Sequence, residues 1–509
     1  MTAPTPSASA GIDRGVLKIA GVVVLGAIMS ILDVTVVGIA LPTFQQVFNS
    51  TYAEVAWTMT AYTLALATVI PVTGWAADRF GTKRLYLLSL TLFTIGSVLC
   101  AMAWSIQSLV VFRILQGLGG GMLLPLGMTI LTRAAGPDRV GRVMSILGVP
   151  MLLGPIGGPI LGGWLIDVAS WHWIFLINLP IGIFAFLYAS RVLPKDAPQP
   201  SESFDIVGML LLSPGLALFL FGVSSIPEAG TVASGRVLIP AVIGLVLMVS
   251  FVFHALRKDH PLIDLHLFKN RNLSIAVITM TLFSIAFFGA MLLFPTYFIQ
   301  VRLETKLAAG LLLAPQGIGA MLSMPIAGAL TDKMGPGKFV LSGIVLIAAG
   351  MAVFTQIGAD TSYGILMGAL FVMGLGMGMT MMPIMSAAMA TLSHHTAARG
   401  STLMNIVQQS AGSIGTAVAS VILTNQILSR PAAGALVGTQ QMVEAGTLPA
   451  IPPEVIAQGA PALADSFGNT FIVSLVLIVL CLIPAMFLPR RKPALTDEQK
   501  ADSTPIIMH

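Results

Sequence analysis

Charge is scarce in this sequence. Only 9% of its 509 residues are Asp, Glu, Lys or Arg, where a soluble protein carries roughly 25%. So few charges cannot cover a water-soluble globule, and 56% apolar residues are too many for a disordered chain. The bilayer is therefore the expected solvent. Cysteine is scarcer still. Cys100 and Cys481 exclude a disulfide framework and a Cys-based zinc site. Both sit in apolar runs and read as inert buried thiols. The sequence contains no GxxxxGK[ST] loop, which argues against ATP hydrolysis by this chain. Polar stretches are short. The longest outer one runs from Ile427 to Ser466, and none has room for a catalytic domain. The clustered nucleophiles, metal ligands or carboxylates of a membrane enzyme are missing, and His394-His395 reads as a solvated pair. The chain is expected to be no enzyme and to use no cofactor, metal or nucleic acid.

What fills the sequence instead is apolar runs. A helix needs about 20 such residues to cross a bilayer, and fourteen candidates run from 16–41 to 467–488. The first is too long for a signal-peptide core and is read as a retained helix. Lys and Arg set the orientation. With the N-terminus inside, the cytoplasmic segments collect Arg14, Lys18, Arg79, Lys83, Arg84, Arg133, Arg139, Arg142, Lys333, Lys338 and the Arg490-Arg491-Lys492 cluster. Arg236, Arg302, Lys306 and Arg430 fall outside, and Arg113 lies within a span. This asymmetry implies an even number of spans with both termini cytoplasmic. Trp57, Trp104, Trp171 and Trp173 fall near outer helix ends, where interfacial anchors belong.

One pattern occurs twice. Gly74, Asp78, Arg79 and Gly81 follow the second span, with Lys83 and Arg84 just after. Gly328, Asp332, Lys333 and Gly335 follow the tenth at the same offsets. Glycine permits a tight turn or close backbone approach, and Asp can face a helix N-terminus. Arg79, Lys83 and Arg84 could pair with Asp78. A lone copy reads equally well as a charged connector; two copies in register point to gating loops. Eight spans separate them, where two six-helix halves in parallel would place them six apart, so two additional helices lie between the halves. The expected architecture is all-α and polytopic. It has six-helix bundles at 1–195 and 261–490, two linking helices in 196–260, and a cytoplasmic tail at 491–509.

At these residues the chain resembles the major facilitator superfamily (MFS), specifically its fourteen-helix drug:proton antiporters of the EmrB/QacA type. The repeated loop is similar to that superfamily's signature between its second and third helices. Leu32-Asp33-Val34-Thr35-Val36-Val37-Gly38-Ile39-Ala40-Leu41-Pro42 is similar to the antiporters' first-helix motif, which usually has Asn in place of Gly38. Arg113-Ile114-Leu115-Gln116-Gly117 resembles their fourth-helix motif. Gly154, Pro155, Gly157, Gly158, Pro159 and Gly162 resemble the fifth-helix antiporter motif. The segment from Trp171 to Gly182 also matches, with His172 where Arg is commoner. The resemblance implies an MFS fold and proton-coupled export by alternating access.

Residue by residue, the chemistry is as follows. Charge within a bilayer costs about 2.5–3.5 kcal/mol by insertion scales, and Asp33 is the one acid well inside an apolar span. It is a candidate proton carrier; the plainer alternative is a permanent packing pair. Arg113 is a fixed positive charge seeking acceptors, with Gln116 one turn along its face. The resemblance gives it electrostatic control over Asp33 or a water-mediated proton path, and a structural bond to a backbone carbonyl stays open. Gly154, Gly158 and Gly162 form a small-residue stripe for close helix packing, while Pro155 and Pro159 favour a bend. Asn405, Gln408 and Gln409 are expected to line a wet cavity. Trp57, Thr58, Tyr62 and Gln116 are weaker candidates for the same cavity. The methionines of the twelfth span read as core.

One proton crossing about 100 mV supplies about 2.3 kcal/mol, and each pH unit adds about 1.4. That sustains a ten- to few-hundred-fold substrate gradient. The expected function is therefore a proton-coupled antiporter of the plasma (inner) membrane that exports lipophilic or cationic toxic compounds. Its partners would be a small lipophilic molecule, protons and membrane lipids, and it is read as a monomer. The alternative is a dedicated exporter of an endogenous metabolite or lipid.

Overall fold

The computed structural model describes residues 13–136, 139–195, 203–229, 231–390, 392, 396–444 and 447–490. Residues 196–202, the tail at 491–509 and His394-His395 therefore lie outside the described residues, as do the side chains of Pro155 and Pro159. Fourteen long helices succeed one another: α1 Arg14–Phe48, α2 Tyr52–Phe80, α3 Thr82–Ala101, α4 Ile106–Ala135, α5 Val140–Val168, α6 Asn178–Val192, α7 Ile206–Ser224, α8 Gly235–Ala255, α9 Arg271–Gln300, α10 Ala314–Met334, α11 Pro336–Phe354, α12 Tyr363–Met389, α13 Ala397–Leu428 and α14 Pro453–Leu480. Among the described residues there is no strand. Among the described residues, thirteen helices are long and apolar enough to cross a membrane, and α5 stands where the fifth predicted span falls. The outer segment after α13 folds as a further helix, Pro431–Glu444, packed on α14.

Local chemistry keeps the connectors short. Asn49 ends α1 in the left-handed region, with φ of 50°, a conformation Asn tolerates better than most residues. Thr51 then opens α2 through a reciprocal capping box with Glu54, and Ser105 does the same for α4 with Ser108. Each box satisfies donors that a helix start leaves unpaired.

Helices α1–α6 interlock as one set, with α2 and α3 on α4 and α1 on α5; α9–α14 interlock as another, with α10 and α11 on α12 and α9 on α13. Two seams join the sets: α5 against α10 and α12, and α2 and α4 against α13. The α7–α8 pair lies beside the second seam, where α7 packs on α2 and α13. Trp57 stacks on Phe221 with ring centroids 5.6 Å apart, and Val223, Ile226 and Val237 bury against Ala417. The outer face of α8 carries exposed Ile239, Val246 and Phe253, suited to lipid.

One sequence expectation for tryptophan needs correction. Trp171 is no interfacial anchor. It is buried among Phe44, Phe48 and Phe175, edge-on to Phe44 at 5.5 Å. The apolar ring of Phe44 on α1 provides a better-packed partner than a headgroup layer. Trp57 is half-exposed but turned toward α7, whose position no local pattern in the sequence reveals. Trp104 and Trp173 remain exposed.

Asp205 holds the α7–α8 pair together at one end. Its carboxylate accepts from Gly208 N at 2.9 Å, Leu262 N at 3.1 Å and His254 Nε2 at 2.8 Å. Burial pushes this carboxyl up, but the three hydrogen-bond donors outweigh it and hold it below the usual carboxylate range. The resulting stabilisation is present at neutral pH and is lost as acid titrates the group through its lowered value. Asp205→Ala removes about 1–2 kcal/mol of cap and network stabilisation. A lower melting temperature of the purified variant at pH 7, with the difference shrinking toward pH 3, checks this.

Candidate functional site

The most heavily buried charges among the described residues face one another inside the α1–α6 set. Arg113 on α4 is 0% exposed and Asp33 on α1 is 2% exposed, and Arg113 Nη1 donates to Asp33 Oδ2. The remaining lone pairs and donors are matched around them. Gln116 Nε2 donates to Asp33 Oδ1 at 2.7 Å and to Ser97 Oγ at 2.6 Å, while its Oε1 accepts from Arg113 Nη1 at 2.7 Å. Asn178, at the start of α6, reaches Asp33 Oδ1 at 3.4 Å and Ser97 Oγ at 3.1 Å. Arg113 Nε donates to the Thr58 carbonyl at 3.1 Å, and the guanidinium lies 4.1 Å over the ring of Tyr62. Glycine lets the helices close around this cluster: a Cβ on Gly117 would lie 2.6 Å from the Tyr62 carbonyl, and one on Gly96 2.7 Å from Gln116. Removing one partner of such a pair typically costs about 3–5 kcal/mol, because the other charge stays buried.

A cavity lies between the two helix sets. One lobe of about 310 Å³ runs between α2, α4, α9 and α13, and another of about 290 Å³ reaches α1, α10 and α12. Leu124, Phe288 and Gln408 line both. The two lobes together, which share three lining residues, have the size of a small-molecule pocket. The walls are apolar and flexible, with Met291, Met377 and Met381 on one side. Four amides, Gln316, Asn405, Gln408 and Gln409, and the hydroxyls of Ser413 and Thr416 supply the polarity. An ion brought in without a counter-charge loses several kcal/mol of hydration, and a ring face returns only about 2. Asp33 does not line either lobe. Ile31 does, and two residues further on the helix has turned about 200°.

At one end the sets are clamped. Asp332 Oδ1 accepts from Gly141 N at 2.7 Å and its Oδ2 from Arg142 N at 3.2 Å, so the carboxylate caps the N-terminus of α5 in the opposite set. Asp78 pairs with Arg133 at 3.0 Å in its own set and with Arg399 at 3.9 Å at the start of α13 in the other. The two loops share a conformation as well as a sequence. Gly81 and Gly335 have φ of 92° and 86° with ψ of 148° and 153°, a region that excludes side chains. A Cβ on Gly328 would sit 2.7 Å from the Gly141 carbonyl; one on Gly74 would meet Thr402 at 3.0 Å. Above the clamps, Ser401 donates to the Pro125 carbonyl at 2.8 Å and Asn405 to Met128 Sδ at 3.2 Å, closing the cavity floor.

A buried pair, an intermediate cavity and two related clamps describe a membrane transporter, and the comparisons with known proteins agree. The Major Facilitator Superfamily model matches residues 23–416. The chain belongs to that superfamily. It is 51% identical to a Mycobacterium tuberculosis protein called multidrug resistance protein B homolog over 496 residues, which covers 94% of this chain and 91% of that one. It is 30% identical to the multidrug export protein EmrB of Escherichia coli K12 over 406 residues, 79% of each chain. Among solved structures, the human organic anion transporter MFSD10 superposes with a TM-score of 0.59 at 17% identity, covering 92% of this chain and 100% of that one. The proton:xylose symporter XylE gives 0.58 at 14%, covering 96% and 98%. These two likenesses concern the fold. The chain is a multi-pass MFS transporter of the EmrB type, not an enzyme.

In this MFS frame the residues singled out from sequence divide into groups. Asp33, Arg113 and Gln116 meet directly, and Thr58 and Tyr62 serve the same cluster through a carbonyl and a ring. These last three residues, like Trp57, do not line either lobe, whereas Asn405, Gln408 and Gln409 do. Asp78 and Asp332 reach across the seams. Lys83 has a different task, donating to the Ser190 and Leu193 carbonyls at 2.7 and 2.8 Å at the end of α6. The stripe Gly154, Gly158 and Gly162 packs on Ile31, Thr35 and Val36 of α1, and Thr35 Oγ1 donates to the Gly154 carbonyl at 3.1 Å. Sequence reasoning missed Asn178, Ser97, Gln316 and Arg399. Asn178 and Gln316 carried a usable signal, an amide within an apolar run; Arg399 at a helix start carried only its charge.

The Gly328 contact yields a test. Gly328→Val forces the α5–α10 seam open, and in a Ser145→Cys background maleimide labelling is expected to accelerate about tenfold, equivalent to ~1.4 kcal/mol. An unchanged labelling rate contradicts the clamp.

Proposed function

We propose that this chain is a proton-coupled antiporter that exports lipophilic compounds across the plasma membrane by alternating access. The observation that carries the reading is the buried Asp33–Arg113 pair on a helix that also borders the cavity. The named functions of the multidrug relatives support the substrate class. The excess of Lys and Arg at the clamped end supports a cytoplasmic placement of that end and of both termini. On this reading the chain has fourteen spans, with bundles at 1–195 and 261–490 and linking helices between. The conformation is closed toward the cytoplasm.

The cycle follows from the contacts. A proton arriving from outside neutralises Asp33 and removes the charge-assisted bond to Arg113. Arg113 keeps hydrogen bonds to Gln116 and the Thr58 carbonyl and the face of the Tyr62 ring, but its buried charge has lost its counter-ion, and that disturbs the cluster. α1 carries Asp33 and is gripped by α5 through Thr35 and the glycine stripe. The N-terminus of α5 is what Asp332 caps. A change at Asp33 is thereby passed along α1 and α5 to the clamp, and the cytoplasmic side opens. The proton leaves inside as substrate binds. One proton moving down about 100 mV and one pH unit yields about 3.7 kcal/mol, the scale of one buried pair.

Asp33→Asn keeps the shape and hydrogen-bonding capacity but removes titration. In proteoliposomes, ΔpH-driven efflux of a lipophilic dye should fall to the protein-free rate, while the variant elutes as a folded species. Undiminished efflux would refute the assignment.

A further inference from the structure

We propose that the cavity selects uncharged amphiphiles, that Gln408 is the position setting this charge selectivity, and that exchange is therefore electrogenic. The proposal rests on the antiport reading above and narrows it.

None of the described residues lining the two lobes is ionisable. The polar contacts on offer are amides and the hydroxyls of Ser413 and Thr416, and each of these groups both donates and accepts. They match a neutral molecule with a carbonyl, ether or hydroxyl group, whereas a cation would find no counter-charge. The buried carboxylate of α1, Asp33, is kept from the cavity twice over. It projects from the opposite face of α1 from Ile31, and Arg113 already holds it. Tyr62, 1% exposed, forms the partition on the α4 side. Its ring covers Arg113 at 4.1 Å, and its hydroxyl fills the space beside Gly120, where a Cβ would lie only 2.5 Å away. Gly120 in turn lines the cavity. Proton and substrate therefore occupy separate compartments, divided by α1 and one aromatic ring. Gln408 borders both lobes, so a charge placed there reaches any occupant.

The charge balance follows. One proton enters and one neutral molecule leaves, so each cycle carries one net positive charge inward. The rate then responds to membrane potential as well as to ΔpH. A monovalent cation in exchange for one proton would carry no net charge.

The test uses the full chain in proteoliposomes, with potential set by potassium and valinomycin. Nile red is the neutral probe and tetraphenylphosphonium the cationic one. Wild type is expected to move Nile red under ΔpH, faster when a potential also drives protons, and to move tetraphenylphosphonium at least tenfold more slowly at zero potential. Gln408→Glu is expected to raise tetraphenylphosphonium efflux about tenfold. Equal handling of both probes by wild type, or Nile red efflux indifferent to potential, overturns the proposal and leaves antiport standing. If ΔpH drives neither probe, the antiport reading falls and takes this proposal with it. The wild-type measurements decide even if Gln408→Glu fails to fold.

Discussion

A carboxylate and a guanidinium held away from water constrain the rest of this transporter. Neither ion is affordable alone in such surroundings, so each dictates its neighbours. Gln116, Asn178, Ser97 and the Thr58 carbonyl are positioned to finish the hydrogen bonding, and Gly96 and Gly117 let α2, α3 and α4 approach closely enough to bring Thr58, Ser97 and Gln116 together. A cluster so fully satisfied is stable in one protonation state and disturbed in the other. That property is what the proposed coupling role draws on.

The disturbance has a route outward because one helix serves three purposes. α1 holds Asp33, contributes Ile31 to the cavity wall and receives the glycine face of α5. At the far end of α5 a carboxylate from the opposite half caps the helix. The Asp78 loop makes the related contact at the other seam, toward α13. The Asp78–Arg399 contact is weak by itself, since a partly exposed ion pair contributes about 0–1 kcal/mol, and the Asp332 cap on α5 contributes about 0.5–2 kcal/mol. On the proposed antiport reading, clamps of this size suit a machine that reopens on the energy of one proton. The α7–α8 pair makes the arrangement unequal: it packs beside the α2–α13 seam only.

Much of this was legible in the residues. Scarce charge and long apolar runs point to a bundle of membrane helices, and the duplicated Gly–Asp–Gly loop reveals both the internal repeat and the linking pair. Asp33 and Arg113 stand out because charge inside an apolar run demands a reason. Partners are harder to read. Tyr62 and Gln116 lie on faces that suit a cavity as well as a core, and only packing assigns them to Arg113. Trp171 looks like an anchor until Phe44 is brought beside it by the fold. Asn178 reaches Asp33 across 145 positions of sequence, a distance over which spacing carries no information. Helix periodicity reports which face is apolar, but not which neighbour it meets.

Proton exchange on binding tests the central claim most directly. In weakly buffered detergent solution, a saturating lipophilic substrate added to purified protein should release about one proton per chain near the group's titration range. The Asp33→Asn protein should bind the same substrate and release none. Equal release from both proteins, or binding to wild type with no change in pH at any starting value, would contradict a transport cycle driven by this carboxyl.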